Sequence, residues 1–253
     1  RSRRQPLGVH GPSEVVDPAA FAWTDAAWQG IDILGKVFYE LHVGTFTPEG
    51  TLDAARERLD HLVALGVDVV ELMPLAPFPG TRGWGYDGVS LFAVHEPYGG
   101  PEALVRFVDA ALARGLGVCL DVVHNHFGPA GNYAGAFAPY LTDTKSTPWG
   151  DAVNLDADRA QGVRTFLIDN ALAWLSDYHL DCLRLDAVHA LLDDSPRHYL
   201  AELADAVAEL SARVGLQKTL VAESDLNDPR MVTPTAEGGY GMDAQWNDDL
   251  HHA

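Results

Sequence analysis

Arg184 and Asp186 stand two residues apart in the run Leu180-Asp-Cys-Leu-Arg-Leu-Asp-Ala-Val-His189. Alternate side chains of a β-strand share a face, so Cys182, Arg184 and Asp186 point one way and Leu183 and Leu185 the other. An arginine beside a carboxylate favours its charged form. A carboxylate held ionised where a strand runs out into a loop can serve as a nucleophile or an electrostatic stabiliser. The same pair also reads as a structural ion pair. Glu223 ends a second apolar run, Thr219-Leu-Val-Ala222. If the two strands are neighbours, both carboxyl groups face one cleft. Two such groups, one ionised and one carrying a proton, are the equipment of glycoside hydrolysis. A strand-end cap or salt bridge is the alternative for Glu223.

Further polar residues cluster in the same way. His124-Asn125-His126 directly follows the run Gly117–Val123, and His42 lies at the C-terminal end of the run Lys36–Val43. Trp84 and Tyr86 alternate with glycines in Gly83-Trp-Gly-Tyr-Asp-Gly88, where aromatic faces can stack on sugar rings or simply pack. His124-x-His126 also has the spacing of a metal pair, with His42, His189 and Asp186 as further ligands of a metal-dependent hydrolase. Hydrogen bonding to substrate is the plainer reading of these histidines.

These groups need elements to hold them. Apolar strand-like runs at 36–43, 67–72, 117–123, 180–186, 219–222 and, more weakly, 241–245 alternate with helical patterns at 51–65, 101–114, 159–178 and 197–214. Such alternation predicts a parallel sheet covered by helices. No Gly-x-Gly-x-x-Gly turn follows the first strand, as a dinucleotide-binding open sheet would have. Polar residues gather instead at the ends of several strands, the habit of a (β/α)8 TIM barrel. The segment 127–158 is long enough to demand a function or a small structure of its own. Residues 1–34, punctuated by Gly8, Gly11, Pro12 and Pro18, read as a lead-in from an N-terminal domain, and 35–253 as the barrel.

Composition narrows the partners. A formal charge of −19, from 17 basic and 36 acidic residues, argues against nucleic acid and anionic membranes. No run approaches the roughly 18 apolar residues of a membrane span. The two cysteines, Cys119 and Cys182, fall in apolar strands, which suits buried thiols and a cytoplasmic location.

Three runs carry a resemblance. Asp121-Val-Val-His-Asn-His126, Leu183-Arg-Leu-Asp-Ala-Val-His189 and Val221-Ala-Glu-Ser224 resemble three of the four signature regions of the α-amylase superfamily, in the right order. Glu223-Ser-Asp-Leu-Asn-Asp228 and Asp243-Ala-Gln-Trp-Asn-Asp-Asp-Leu-His-His252 are similar to the maltooligosyltrehalose trehalohydrolases within it, more than to the branching and debranching enzymes. The resemblance implies retaining hydrolysis of an α-1,4 bond, with Asp186 as nucleophile and Glu223 as acid and base. It implies substrate contacts from Trp84, Tyr86, Asn125, His126, Arg184, His189 and Asp225. Asp248, Asp249, His251 and His252 would face the trehalose end of a maltooligosyltrehalose or related α-glucan. It implies no cofactor and no metal. The fourth signature region, an Asn-His-Asp run on the seventh strand, is not in this sequence. The expectation is therefore an α-amylase-type barrel truncated after its sixth strand. The rest of its own chain would then be a partner, and these residues alone would show little activity.

Overall fold

The computed structural model describes residues 2–247. Its strands are β1 (Phe38–Leu41), β2 (Val69–Leu72), β3 (Gly117–Val122), β4 (Leu141–Thr147), β5 (Gly150–Val153), β6 (Cys182–Leu185), β7 (Thr219–Glu223) and β8 (Ala244–Trp246). Its helices are α1 (Val43–Phe46), α2 (Leu52–Arg56), α3 (Leu59–Leu65), α4 (Gly100–Leu112), α5 (Ala160–Asp177) and α6 (Tyr199–Val214).

Six strands form one parallel sheet in the order β1-β2-β3-β6-β7-β8. The order never reverses, so the sheet has no topological switch point and winds in one direction, as a (β/α) barrel does. One face packs Val70, Leu72, Leu120, Leu183, Leu185 and Leu220 into the main core with the helices. The other face holds a small cluster of Val69, Cys119, Cys182 and Val221. Both faces being covered explains why β2, β3 and β6 are buried throughout. Cys119 and Cys182 are register partners, buried and free.

The lead-in closes the base of that second face. Ile33 joins the small cluster and Ile31 packs on it. Trp28 donates its indole N–H to buried Asp181 at 2.8 Å. Farther back, Arg4 grips Glu96 at 2.7 and 2.9 Å.

Several boundaries differ from the sequence reading. The helix expected over 51–65 is two helices. Arg58 N–H bonds Ala55 O and His61 N–H bonds Arg58 O, three residues back, and this tighter winding splits the helix while keeping Leu52, Ala55, Leu59 and Leu62 buried. Gly66 (φ 86°) ends it, as expected. The first strand stops at Leu41, because the backbone turns at His42 into α1. The long segment 127–158 does have structure of its own, the antiparallel hairpin β4–β5. No helix among the described residues is long and apolar enough to cross a membrane.

Arg164, only 5% exposed, ties this scaffold to the loop beyond β6. It donates to Glu202 (2.6 Å), Asp193 (2.7 Å) and the carbonyls of Leu155 and Arg197. Removing one partner of a buried ion pair strands the other. Arg164→Ala is expected to destabilise the fold by about 3–5 kcal/mol, read as a lower urea midpoint at unchanged slope.

Candidate active site

The sheet register sets the site. On the inner face, Asp121 pairs with Arg184, and Arg184 with Val221. Asp186 and Glu223 follow on the same parity, just past β6 and at the end of β7. Arg184, with its side chain 10% exposed, sits between three carboxylates. Nη1 donates to Asp121 Oδ2 at 2.6 Å and to Asp186 Oδ1 at 3.2 Å. Nη2 lies 3.5 Å from Glu223 Oε1. The two carboxyl groups read from the sequence as a pair are thus held to one guanidinium.

Each has a second anchor. Asn125 donates its amide to Asp186 Oδ2 at 3.0 Å. The backbone N–H of Ala187 donates to Glu223 Oε2 at 2.5 Å. Ala187 adopts φ 42°, ψ 53°, a left-handed conformation that L-residues seldom take. Strained backbone of this kind persists where its surroundings over-determine it. Here it turns the peptide after Asp186 toward Glu223, and so links the two carboxylates through the main chain.

The loop between β2 and α4 supplies the third wall. Tyr86 donates its hydroxyl to Asp121 Oδ2 at 2.8 Å. Burial, reinforced by the Asp121 charge, pushes its phenol well above the usual range. His126 bridges Asn125 Oδ1 (2.6 Å) and the Tyr86 carbonyl (2.8 Å), and its ring stacks on Trp149 at 5.0 Å and 4°. His42 holds the same loop through the Gly83 carbonyl at 2.8 Å. Gly85 has φ 94°, and a Cβ there would meet the Pro74 carbonyl at 2.2 Å. Glycine is required at that point for Tyr86 to reach Asp121.

The expected residues therefore separate. Asp186, Glu223, Arg184, Asn125, His126 and Tyr86 come together. Trp84 (70% exposed) and Asp225 stand exposed in loops, and His189 stands exposed in the short 3-10 helix Val188–Ala190 beyond β6. Asp248, Asp249, His251 and His252 lie outside the described residues. Two groups given no role in the sequence reading prove central. Asp121 could have been found by strand parity, since it directly neighbours Arg184. Trp149 carries no such signal, because it enters from the hairpin turn. A cavity of about 760 Å³ lies elsewhere, between residues 193–198 and 230–240, and contains neither carboxylate.

The His124-x-His126 metal pair is not formed. Both nitrogens of His124 are taken, by Asn170 Oδ1 at 2.9 Å and the Tyr199 hydroxyl at 3.0 Å. The rings serve different networks, with His124 turned into the core and His126 into the site. Strand alternation does not carry past Val122, so the spacing says nothing about a shared ion.

With this geometry in place, the class is plain: a (β/α)-barrel sheet with polar groups converging at the C-terminal ends of its strands. The chain belongs to the alpha-amylase catalytic-domain family, whose sequence model matches residues 16–146. It is 60% identical over its whole length to a malto-oligosyltrehalose trehalohydrolase of Arthrobacter ramosus, covering 44% of that protein. It is 48% identical to one of Saccharolobus solfataricus, again covering 44% of it. A 1,4-alpha-glucan branching enzyme of Bacillus caldolyticus is more distant, at 34% identity over 95% of this chain and 40% of its own. The crystal structure of a putative alpha amylase from Salmonella typhimurium superposes with a TM-score of 0.91 at 45% identity, over 99% of this chain and 42% of that one. The chain spans less than half the length of these relatives.

Burial lowers His124 from 6.5 to about 4. The folded state then binds fewer protons than the unfolded state between these values, so His124's contribution is complete above about pH 6.5 and is lost as pH falls through about 4. His124→Gln is expected to flatten the fall in unfolding free energy across that window by up to about 1.4 kcal/mol per pH unit. Urea titrations of both proteins at matched pH check it.

Proposed function

We propose that the site hydrolyses the α-1,4 bond next to the terminal trehalose of maltooligosyltrehalose, with retention, releasing trehalose and a shortened maltooligosaccharide. One observation carries the chemistry: Arg184 contacts both Asp186 and Glu223. Relatives named for this reaction, at up to 60% identity, carry the choice of substrate.

In the first step Asp186 attacks the anomeric carbon while Glu223 gives its proton to the departing oxygen. The glycosidic C–O bond breaks, trehalose leaves, and the maltooligosaccharide remains bonded to Asp186. In the second step Glu223, now ionised, takes a proton from water, and the hydroxide displaces Asp186. Arg184 and Asn125 hold Asp186 in place and aimed. Ala187 N–H fixes Glu223 Oε2, which leaves Oε1 to carry the moving proton. His126 and Tyr86 hold the sugar whose bond breaks. Trp84, His189 and Asp225 meet more distant parts of the glucan, and Asp248, Asp249, His251 and His252 the trehalose end. Residues 1–34 act as a lead-in to the catalytic barrel. Free, buried Cys119 and Cys182 suit a cytoplasmic setting for trehalose synthesis.

The test uses the polypeptide encoded by the complete reading frame around these residues. Incubated with maltooligosyltrehalose it releases trehalose, and Glu223→Gln slows this by about 10²–10⁴-fold with little change in KM. Formation of α-1,6 branches without trehalose would replace this reading with that of a branching enzyme.

A further inference from the structure

His124 stands directly before Asn125 and His126, but its own ring bonds elsewhere. β3 ends at Val122, so ladder bonds no longer fix the backbone that carries Asn125 and His126. The next anchor along the chain is the His124 ring, 2% exposed and bonded to α5 on one side and α6 on the other. β3 is the third of six strands, so this anchor lies away from both edges of the sheet.

Its partners settle where each hydrogen sits. Buried Asn170 gives its amide hydrogen to the Leu91 carbonyl at 2.8 Å and turns Oδ1 to His124 Nε2 at 2.9 Å. An amide oxygen only accepts, so Nε2 carries the hydrogen. His124 Nδ1 then accepts from the hydroxyl of buried Tyr199 at 3.0 Å. The line runs one way, from Tyr199 through His124 and Asn170 to Leu91, and takes a neutral imidazole in a single tautomer. Both ends of the line are held. Leu91 belongs to the loop whose Tyr86 donates to Asp121 and whose Tyr86 carbonyl accepts from His126. Tyr199 opens α6 and gives its backbone N–H to Asp193, the carboxylate paired with Arg164.

We propose that His124 is a positioning residue for the hydrolysis: held by Asn170 and Tyr199, it sets the backbone from which Asn125 reaches Asp186 and His126 reaches the Tyr86 carbonyl. It touches no substrate and moves no proton. Without the line, the segment past β3 shifts, and the Asn125 amide no longer aims Asp186. The kinetic consequence rests on the hydrolytic reading of the site, whereas the placement of Asn125 and His126 does not.

The test uses the polypeptide of the complete reading frame with its histidines labelled with ¹³C and ¹⁵N. Tyr199→Phe deletes one hydroxyl and keeps the ring, and His124→Phe deletes both bonds. Val207→Ala, in the buried face of α6 and outside the line, serves as the control that lowers Tm without touching it. At a temperature where all are folded, both line variants are expected to lose kcat roughly 10- to 100-fold, with a smaller change in KM. Their His126 ring signals should also move, since the stack on Trp149 is disturbed. Val207→Ala should keep kcat and the His126 signals of the wild type, and the wild type should show His124 with its hydrogen on Nε2. Tyr199→Phe decides the matter if His124→Phe does not fold. The ring signals need no substrate, so they decide the proposal even if the complete protein forms branches and releases no trehalose. A hydrogen on His124 Nδ1 overturns it. So do unmoved His126 signals in Tyr199→Phe, or an equal loss of kcat in Val207→Ala, which would make the effect one of stability alone.

Discussion

A single guanidinium in a face of carboxylates organises this molecule. Arg184 reaches Asp121, Asp186 and Glu223 from one position in the middle of the sheet. Like charges this close repel, and in a partly dry interior the repulsion is weakly screened. Arg184 turns that repulsion into order, since Nη1 of one planar, rigid fork holds Asp121 and Asp186 while Nη2 faces Glu223. A lysine would supply the charge without the geometry. The strand register makes the arrangement possible, because parallel pairing sets Asp121 beside Arg184.

Around this centre the structure is built from the base upward. The lead-in fills the base of the inner face with Ile31 and Ile33, and Trp28 anchors it to Asp181. Above lie Cys119 and Cys182, then Asp121, Arg184 and Val221 in one register row, then the loops. Precision at the top comes from the main chain. The left-handed Ala187 brings an N–H to Glu223, and the positive φ of Gly85 lets Tyr86 reach Asp121. Both positions accept backbone conformations that folds otherwise avoid. Side chains alone would leave these groups free to rotate.

Much of this was legible in the sequence. Apolar runs flanked by glycine and proline marked six parallel strands, and among the residues at their ends are those that the fold gathers around Arg184. Period-two alternation put Arg184 and Asp186 on one face, because a strand enforces it. What escaped had different causes. The split at Arg58 is invisible to hydrophobic periodicity, since both short helices keep the same buried stripe. His124 and His126 looked like a pair because alternation was carried past the strand's end, where the backbone no longer obeys it. Trp149 arrives from a hairpin far along the chain, and no local pattern announces its stacking on His126. Asp121 was readable from parity but was passed over, as an acidic residue inside an apolar strand.

The central claim is that Asp186 and Glu223, gathered on Arg184, act as nucleophile and acid–base in one double displacement. Proton NMR of the first-formed reducing end decides it most directly, recorded before mutarotation. Two inversions at one carbon return the α anomer, which is the predicted signal. A β anomer in the earliest spectra would mean that water attacks directly, with the carboxyl groups too far apart for Asp186 to bond the sugar, and would contradict the account.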